Sequence, residues 1–332
     1  MAALLLAGAT AISSCDSMIY DDQGDCTVHY RVPFTYTTNI LNADAFSSQV
    51  KSVTLYVFDK SGNLVMHKTD SGDALSQSGY KMDVELLPGS YDMLAWCEGV
   101  SPVDNHTSFA IGTGSRPADI DATLPLLGSA PSLYNNRDIT PLFHGQASGV
   151  ECTKDDYGYI DLPVINLMKD TNVIKVILNN VDGREMSEQD FTIAITADNS
   201  KLDYLNRLEG NTYFSSMPWS VSKITTAPDG RAQQAVTGLF TETTVGRLMT
   251  DRTATLSVTR NTDGEKLFEF NLTQFLLMVK GHYQGNFSDQ DYLDRMDEHT
   301  LTFFLDDQLN WYTAGGVLIN GWKVVPPQIE EL

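Results

Sequence analysis

The chain has 332 residues, of which 42% are hydrophobic, and a formal net charge of −21. This length and apolar content suffice for sizeable cores, so a disordered protein is excluded and two domains are expected. Because the acidic residues are spread along the chain, a phosphate backbone would be repelled, and nucleic acid is not expected as a partner. No apolar run after residue 15 approaches the roughly 20 residues that span a bilayer.

The chain opens with a short apolar run that ends at a cysteine. The stretch 2–12 is too short to span a membrane but fits the ~7 to 15 apolar residues of a secretory signal. The sequence Ile12-Ser13-Ser14 before Cys15 resembles a lipobox, in which the thiol of the following cysteine is acylated. Residues 1–15 are therefore predicted to be a lipoprotein signal, with Cys15 holding the exported protein on the outer membrane.

Two features bear on the predicted lipid anchor. No Lys or Arg precedes Arg31, whereas a secretory signal normally opens with positive charge, so an unprocessed apolar N-terminus with a chance cysteine is the alternative. Residues 16–27 are polar and acidic, a composition that does not begin a packed domain. We interpret them as a tether, which favours the anchored form.

Three cysteines follow Cys15, namely Cys26, Cys97 and Cys152. In an oxidising export route they allow one disulfide and one free thiol, with three pairings open. Three buried thiols are the equal alternative. Their spacing matches no zinc motif, which needs closely paired ligands.

Residues 28–155 are predicted to form the first domain. Period-two alternation in residues 81–86 and 91–97, with a Pro-Gly turn between them, predicts a hairpin. Val53, Leu55 and Val57 alternate with Thr54, Tyr56 and Phe58, so this strand is expected to be buried on both sides and to end at the turn of residues 59–62. Residues 101–138 are rich in Gly, Pro, Ser, Asp and Asn and are expected to form long loops.

Residues 156–332 are predicted to form a second β-rich domain, with a hairpin turn at 261–264. The apolar spacing of Leu272, Phe275, Leu276 and Val279 predicts one amphipathic helix, and residues 289–298 a short acidic helical turn. The predicted fold is all-β: two tandem β-sandwiches with one or two short helices in the second. The strands expected in this domain are residues 173–178, 191–196, 254–259, 266–271 and 301–305.

No set of residues in the sequence forms a catalytic or metal-binding motif. The six histidines stand alone, without the i, i+4 pairing that binds zinc, and there is no nucleophile elbow or phosphate loop. Residues 59–62 and 289–291 lack the alternating ligands of a calcium loop. The sequence therefore predicts no enzyme activity, cofactor or small-molecule substrate, although a glycosidase carboxylate pair would be set by space and not by sequence.

Several motifs in order carry a family resemblance that covers essentially the whole mature chain. The chain resembles the fimbrial anchor subunits of Bacteroidales, the minor and major fimbrium anchor family. The motifs are SVTLYVFDKSG at 52–62, LPGSY at 87–91, AW at 95–96, RLM at 247–249, QDYLDR at 290–295, LTFFLD at 301–306 and VLINGWKVV at 317–325.

The resemblance implies the base of a surface pilus, built from two transthyretin-like Greek-key sandwiches and held on the outer membrane by the lipidated Cys15. The implied partners are fimbrial stalk subunits, and the anchor is expected to hold the shaft and limit its length. In such pili an extended donor strand of one subunit completes the sheet of the next. Stalk subunits lose an N-terminal strand to a protease, whereas an anchor keeps the corresponding segment, here residues 27–37.

The C-terminus is the segment predicted to join the partner. Gly315 and Gly316 form a hinge before a continuous β segment, which Pro326 and Pro327 end. Alternation places Leu318, Trp322 and Val324 on one face and Val317, Ile319 and Val325 on the other. Donation of this strand to a partner and completion of the chain's own second sandwich are both open. The segment comprises Val317, Leu318, Ile319, Asn320, Gly321, Trp322, Lys323, Val324 and Val325.

A surface lipoprotein that binds glycans is the alternative function. Exposed aromatic rings stack on sugar faces, and the four tryptophans, Trp96, Trp219, Trp311 and Trp322, are the candidates. A surface hydrolase is a third class. Binding to polysaccharide gels would distinguish the glycan-binding protein from the anchor. Screening for activity on polysaccharides and peptides would test for a hydrolase.

Overall fold

The computed structural model describes residues 28–153, 158–226 and 236–324. Extended strands dominate these residues, and three short α-helices lie among them. The predicted all-β class is confirmed. The predicted signal and tether, with Cys15 and Cys26, lie outside the described residues.

The first half of the chain forms strands of unequal length around one short helix, α1 (Phe46–Gln49). The 3₁₀ turns of this half are Asp73–Ser76 and Pro117–Asp119. The strands are β1 (Val28–Thr38), β2 (Ser52–Asp59), β3 (Leu64–Ser71), β4 (Lys81–Val84), β5 (Gly89–Glu98), β6 (His106–Thr107), β7 (Ala110–Ile111), β8 (Ala122–Thr123), β9 (Leu127–Ser129), β10 (Ser132–Asn135), β11 (Asp138–Ile139), β12 (Leu142–Cys152), β13 (Gly158–Asp161) and β14 (Ile165–Lys169).

The longer of these strands enclose a first core. They are ordered β13-β1-β14-β12-β5-β2-β3, and β4 also pairs with β1. Alternate residues of β1, from Tyr30 through Val32 and Phe34 to Tyr36, are buried in this core. β1 pairs with β4 as far as Pro33 and with β14 from Phe34, so it passes from one sheet to the facing one at a residue without an N–H donor.

The predicted hairpin of residues 81–86 and 91–97 is wrong. β4 pairs antiparallel with β1, whereas β5 lies between β2 and β12. The residues between β4 and β5 therefore carry the chain from one sheet to the other. Proline and glycine mark a bend in either case, so turn chemistry alone does not distinguish a hairpin from a crossover.

The second half adds two helices and eleven strands, with 3₁₀ turns at Lys280–His282 and Thr313–Gly315. The order of one sheet is β19-β20-β15-β23-β24-β25, and that of the other is β22-β21-β16-β18-β10-β9. These elements are β15 (Thr171–Asn180), β16 (Phe191–Ala197), β17 (Lys201–Leu202), β18 (Phe214–Ser216), β19 (Ser220–Thr226), β20 (Val236–Gly246), β21 (Thr255–Arg260), β22 (Glu265–Asn271), α2 (Leu272–Leu277), α3 (Asp289–Arg295), β23 (Glu298–Leu305), β24 (Val317–Ile319) and β25 (Trp322–Val324).

The second core lies between these two sheets and includes both helices. The predicted hairpin turn at 261–264 is confirmed, because β21 and β22 pair antiparallel across it. The four apolar residues of the predicted helix are buried, although α2 itself ends at Leu277. Asn271 caps α2 by accepting a hydrogen bond from the Gln274 backbone N–H at 3.1 Å. The predicted acidic helical turn is α3, which Ser288 caps in the same way.

The short strands of residues 101–138 connect the two halves of the molecule, where long loops were expected. β10 pairs parallel with β18, and β8 pairs antiparallel with β17. An apolar cluster lies beneath these short strands and includes Phe58 of β2. On the opposite face of β2, Val53, Leu55 and Val57 belong to the first core. The prediction that β2 is buried on both sides is thus confirmed for Val53, Leu55, Val57 and Phe58, whereas Thr54 and Tyr56 are only half-buried.

The domain boundary predicted between residues 155 and 156 requires correction. β13 and β14 pair with β1 and β12, so they belong to the sheets of the first core. The chain passes to the second core at Asp170, between β14 and β15. The polar composition near residue 155 marks the connection between β12 and β13 and not a link between domains. The transthyretin-like Greek-key assignment of the two sandwiches remains a prediction.

Candidate functional site

The predicted C-terminal donor strand is a hairpin in the structure and not a continuous β segment. Asn320 and Gly321 form its turn with positive φ angles of 51° and 83°. Asn-Gly is the preferred pair for a two-residue hairpin turn, because both central positions need a left-handed backbone. The Asn-Gly signal is present in the sequence, but the apolar residues on either side of it led to the prediction of one continuous strand. We call residues 317–324 the C-terminal hairpin.

The C-terminal hairpin completes the chain's own sheet. β24 pairs antiparallel with β23, and among the described residues β25 pairs only with β24 and is the last strand of this sheet. Val317, Ile319 and Val324 are buried in the second core. Val324 pairs with Val317 and Trp322 with Ile319, so these four side chains share one face, and the predicted grouping of Leu318 with Trp322 and Val324 is wrong. Val325 lies outside the described residues.

An exposed aromatic pair lies at the edge of the core-facing side of the hairpin, where Trp322 is opposite Ile319. The Trp322 ring stacks on the His282 ring, with 3.9 Å between centroids and 4° between planes. Trp322 is 43% exposed, and Lys323 beside it is also exposed. The core-facing side of the hairpin is thus exposed only at Trp322, and the opposite side carries Leu318 and Lys323.

The first strand, predicted over residues 27–37, is seated in the fold as β1. Arg31 on its exposed side donates from Nε to the Asp161 carboxylate at 3.0 Å. The aromatic residues Tyr30, Phe34 and Tyr36 are buried on the other side. β1 therefore occupies its own place between the strands with which it pairs.

Helix α3 ties the second core to the end of β1. Arg295 Nη1 donates to the backbone carbonyls of Thr37 and Asn39, both at 3.4 Å, and to Asn42 Oδ1 at 2.7 Å. Two residues after the helix, Asp297 pairs with Lys169 of β14 at 2.6 Å. These contacts make α3 a clamp between the two halves, which its acidic sequence alone did not predict.

A buried polar network lies where the chain crosses between the cores. Asp170 is fully buried, and its Oδ1 accepts a hydrogen bond from Asn206 Nδ2 at 2.8 Å. Burial raises the pKa of Asp170 to about 7, although the nearby Arg247 guanidinium opposes the shift. Arg247 itself holds both carboxylate oxygens of Asp294 on α3, at 2.9 and 2.8 Å. Each half therefore contributes charged groups to one shared network.

The two described cysteines, Cys97 and Cys152, are free thiols buried in the first core. Burial raises the pKa of both, to about 11 for Cys152. A thiol that stays protonated is a poor nucleophile, so these two residues act as small core side chains. The sequence left open a disulfide or three buried thiols. Cys97 and Cys152 are buried free thiols, and Cys26 lies outside the described residues.

The four tryptophans lie in different environments. Trp96 is buried and donates from Nε1 to the Ile120 carbonyl at 3.1 Å, and Trp311 packs against the core ring of Phe270 at 5.5 Å. Trp219 is half-buried and lines a groove of about 180 Å³ between the two halves. Trp311 is half-buried like Trp219 and Trp322 is exposed, so these three rings are at least partly accessible, whereas Trp96 is not.

The Trp219 groove also carries paired charges. Trp219 Nε1 donates to Thr244 Oγ1 at 3.0 Å, which holds the ring in place. Lys175 in the wall of the groove forms an ion pair with Glu298 and lies 4.0 Å from Glu242. An aromatic ring beside such polar groups is a typical arrangement for a polar ligand with an apolar face.

Over residues 28–153, 158–226 and 236–324, no three His, Cys, Asp or Glu side chains group as metal ligands do. None of the helices placed there has the length and apolar character to cross a membrane. His144 and His299 are buried, and burial lowers the pKa of each to about 4.

A family model described as fimbrillin-A associated anchor proteins Mfa1 and Mfa2 matches residues 23–326. The chain belongs to this family. The minor fimbrium anchoring subunit Mfa2 of Porphyromonas gingivalis is 23% identical over 325 residues, which are 96% of this chain and 92% of that relative. The family resemblance carried by the sequence motifs is confirmed.

Solved structures share the fold over nearly the whole chain. A candidate adhesin from Bacteroides thetaiotaomicron is 27% identical with a TM-score of 0.76, covering 92% of this chain and 99% of that one. A candidate polysaccharide-binding protein from the same species is also 27% identical, with a TM-score of 0.71 and coverage of 90% and 98%. The fimbrial anchor protein Mfa2 of P. gingivalis has a TM-score of 0.62 at 18% identity, covering 90% and 99%, which shows a common fold.

Proposed function

We propose that this protein is the lipid-anchored base subunit of a cell-surface pilus. It attaches the fimbrial shaft to the outer membrane and limits the length of the shaft. The observation that carries the proposal is the anchor-family match over residues 23–326, which includes both cores and the C-terminal hairpin. The role is structural and not enzymatic.

Attachment to the membrane rests on Cys15. Its position after a short apolar run and before an acidic segment is what an acylated leader followed by a tether requires. Two or more acyl chains hold a protein stably on a bilayer, whereas one does so only marginally. The lipid would carry the mechanical load of the shaft.

Attachment to the shaft rests on the C-terminal hairpin. β1 already fills its own place in both sheets, which suits the chain to donate a strand and not to receive one at that position. The hairpin joins the rest of the sheet only through β24 and β23. It can leave without breaking any other strand pair.

Release of the hairpin has a cost that a partner must offset. Val317, Ile319 and Val324 would lose their burial, which is roughly 5 to 9 kcal/mol at ~1.5 to 3 kcal/mol per side chain. An acceptor groove on a stalk subunit that buries the same three residues would return a similar amount. We therefore expect a closed hairpin in the free protein and exchange only with a matching partner.

Co-purification from intact cells tests the proposed function. After chemical cross-linking at the cell surface, the tagged protein is expected to recover fimbrial stalk subunits, which mass spectrometry identifies. A tagged surface lipoprotein of another family serves as the control. Repeated recovery of the protein alone, from cells that display fibres, would contradict the proposal.

Glycan binding is a second candidate, which the half-buried Trp219 and its polar groove favour. A structural relative at 27% identity is itself a candidate polysaccharide-binding protein. If sugars bind here, polysaccharide affinity gels should retard the protein, and Trp219→Ala should remove most of the retardation. Trp311→Ala is not an equivalent test because Trp311 packs against the core. Equal mobility with and without polysaccharide would exclude this function.

A further inference from the structure

The turn of the C-terminal hairpin is bonded to the strand beside it through a side chain. The Asn320 backbone N–H donates to the Thr300 carbonyl at 2.8 Å. The Thr300 N–H in turn donates to Asn320 Oδ1, also at 2.8 Å. The amide side chain thus continues the ladder of β23 and β24 beyond the last residue pair. Since Oδ1 must face the Thr300 donor, the orientation of the amide is determined and Nδ2 points away from Thr300.

Asn320 Nδ2 faces a buried histidine. It lies 3.3 Å from His299 Nδ1, and the His299 side chain is fully buried. An amide nitrogen only donates, so in this contact Nδ1 accepts and the proton of the neutral ring is on Nε2, which is buried without a hydrogen-bond partner among the described residues. A protonated imidazolium would place a second N–H against this donor. The contact therefore holds only while His299 is uncharged.

The surroundings of His299 do not stabilise a charged ring. The Tyr292 ring of α3 lies edge-on with its centroid at 6.3 Å, and Ile174 of β15 is its neighbour across the parallel strand pair. The Met296 backbone and the charge of Asp297 favour the protonated form, but Asp297 is already paired with Lys169. Burial outweighs both and lowers the pKa of His299 to about 4.

We propose that Asn320 and His299 form a proton-sensitive latch, which holds the C-terminal hairpin closed while His299 is neutral and releases it when His299 is protonated. Departure of the hairpin removes Asn320 and admits water to the ring. The biological use of the latch rests on the proposed docking role of the hairpin. Release of the latch would make the donor strand available to a stalk subunit in an acidic medium.

The direction of the pH effect follows from linkage. With the hairpin closed, the His299 pKa is about 4, and with the ring in water it returns to about 6.5. Opening therefore takes up a proton. The closed form has its full stability above about pH 6.5 and loses it as pH falls toward 4. Between pH 7.5 and pH 5.5 the open fraction is expected to rise about tenfold.

Hydrogen–deuterium exchange of the full chain in detergent tests the latch. Protection of residues 317–324 is measured by mass spectrometry at pH 7.5 and 5.5 and corrected for the intrinsic exchange rate. His299→Phe keeps a buried ring that does not titrate, and it should remove the pH effect. Asn320→Gly tolerates the left-handed turn but lacks the amide, so it should open the hairpin already at pH 7.5.

His282→Phe is the matched control, because His282 is exposed and stacks on Trp322 of the same hairpin. This variant should keep the tenfold pH effect. Equal protection of the unaltered chain at both pH values would overturn the proposal, as would a tenfold effect that survives in His299→Phe or disappears in His282→Phe. If His299→Phe does not fold, Asn320→Gly decides by its protection at pH 7.5. The exchange measurement needs neither stalk subunit nor lipid. A negative result would therefore contradict the latch alone, whereas a negative co-purification would contradict the proposed anchor function.

Discussion

A chain that carries both Thr302→Cys and Leu318→Cys is expected to lose capture of stalk subunits when oxidised and to regain it when reduced. Thr302 of β23 and Leu318 of β24 lie directly opposite each other. Paired strand residues have Cα atoms about 4.5 to 5.5 Å apart, which is within the range that a disulfide spans. The bridge would fasten the C-terminal hairpin to the chain's own sheet.

The effect should be large because a covalent bond removes the open state and does not merely disfavour it. Both positions lie on the face of the sheet away from the core, since Leu301, Phe303 and Ile319 face inward. The core is therefore unchanged by the bridge. Recovery of stalk subunits in the cross-linked co-purification is the measurement, and it should fall to background under oxidising conditions.

The matched control for this bridge is Leu318→Cys alone, which has the new thiol but no partner opposite. Both chains should carry Cys26→Ala, because Cys97 and Cys152 are buried and Cys26 is the remaining thiol that could compete. Capture that persists while mass spectrometry confirms the bridge would show that the shaft binds elsewhere on the surface.

Replacing Cys15 by Ala is expected to move the protein and its fibres from the cell pellet to the medium. Each buried methylene of an acyl chain contributes ~0.8 kcal/mol to membrane binding, and all of this is lost with the thiol. The folded part should not be affected, because every described element begins at or after Val28. Immunoblots of cells and medium, with electron microscopy of the fibres, measure the shift.

Cys26→Ala is the control for the tether, since it makes the same change further along the leading segment. This variant should stay with the cells. Unchanged attachment of the Cys15→Ala protein would contradict acylation at this position. Release of both variants would instead indicate that the leading segment as a whole is needed for export or attachment.

Local sequence patterns predicted most individual strands but not their partners. The alternation in β15, β16 and β21 and the turn at 261–264 agree with the structure, because each depends on neighbours within a few residues. The partner of β4 is β1, more than 40 residues away, and no local pattern encodes that pairing. The same limit explains the misplaced boundary near residue 155.

The C-terminal hairpin illustrates the same division at the candidate site. The Asn320-Gly321 pair is a local signal for a hairpin, and a stricter reading of turn chemistry would have found it. The contact of Asn320 with His299 has no such signal, because it depends on how β24 docks beside β23. The clamp from Arg295 to the end of β1 likewise joins residues that are far apart in sequence.

By itself the sequence determined the β-rich class and the family to which the chain belongs, since composition, periodicity and ordered motifs are written along the chain. Only the tertiary structure decided that the terminal segment folds back onto its own sheet and that β1 is seated in both sheets of the first core. It also decided that Asp170 and His299 are buried. The physical reason is that strand pairing and burial depend on residues distant in sequence, which meet only when the sheets pack together.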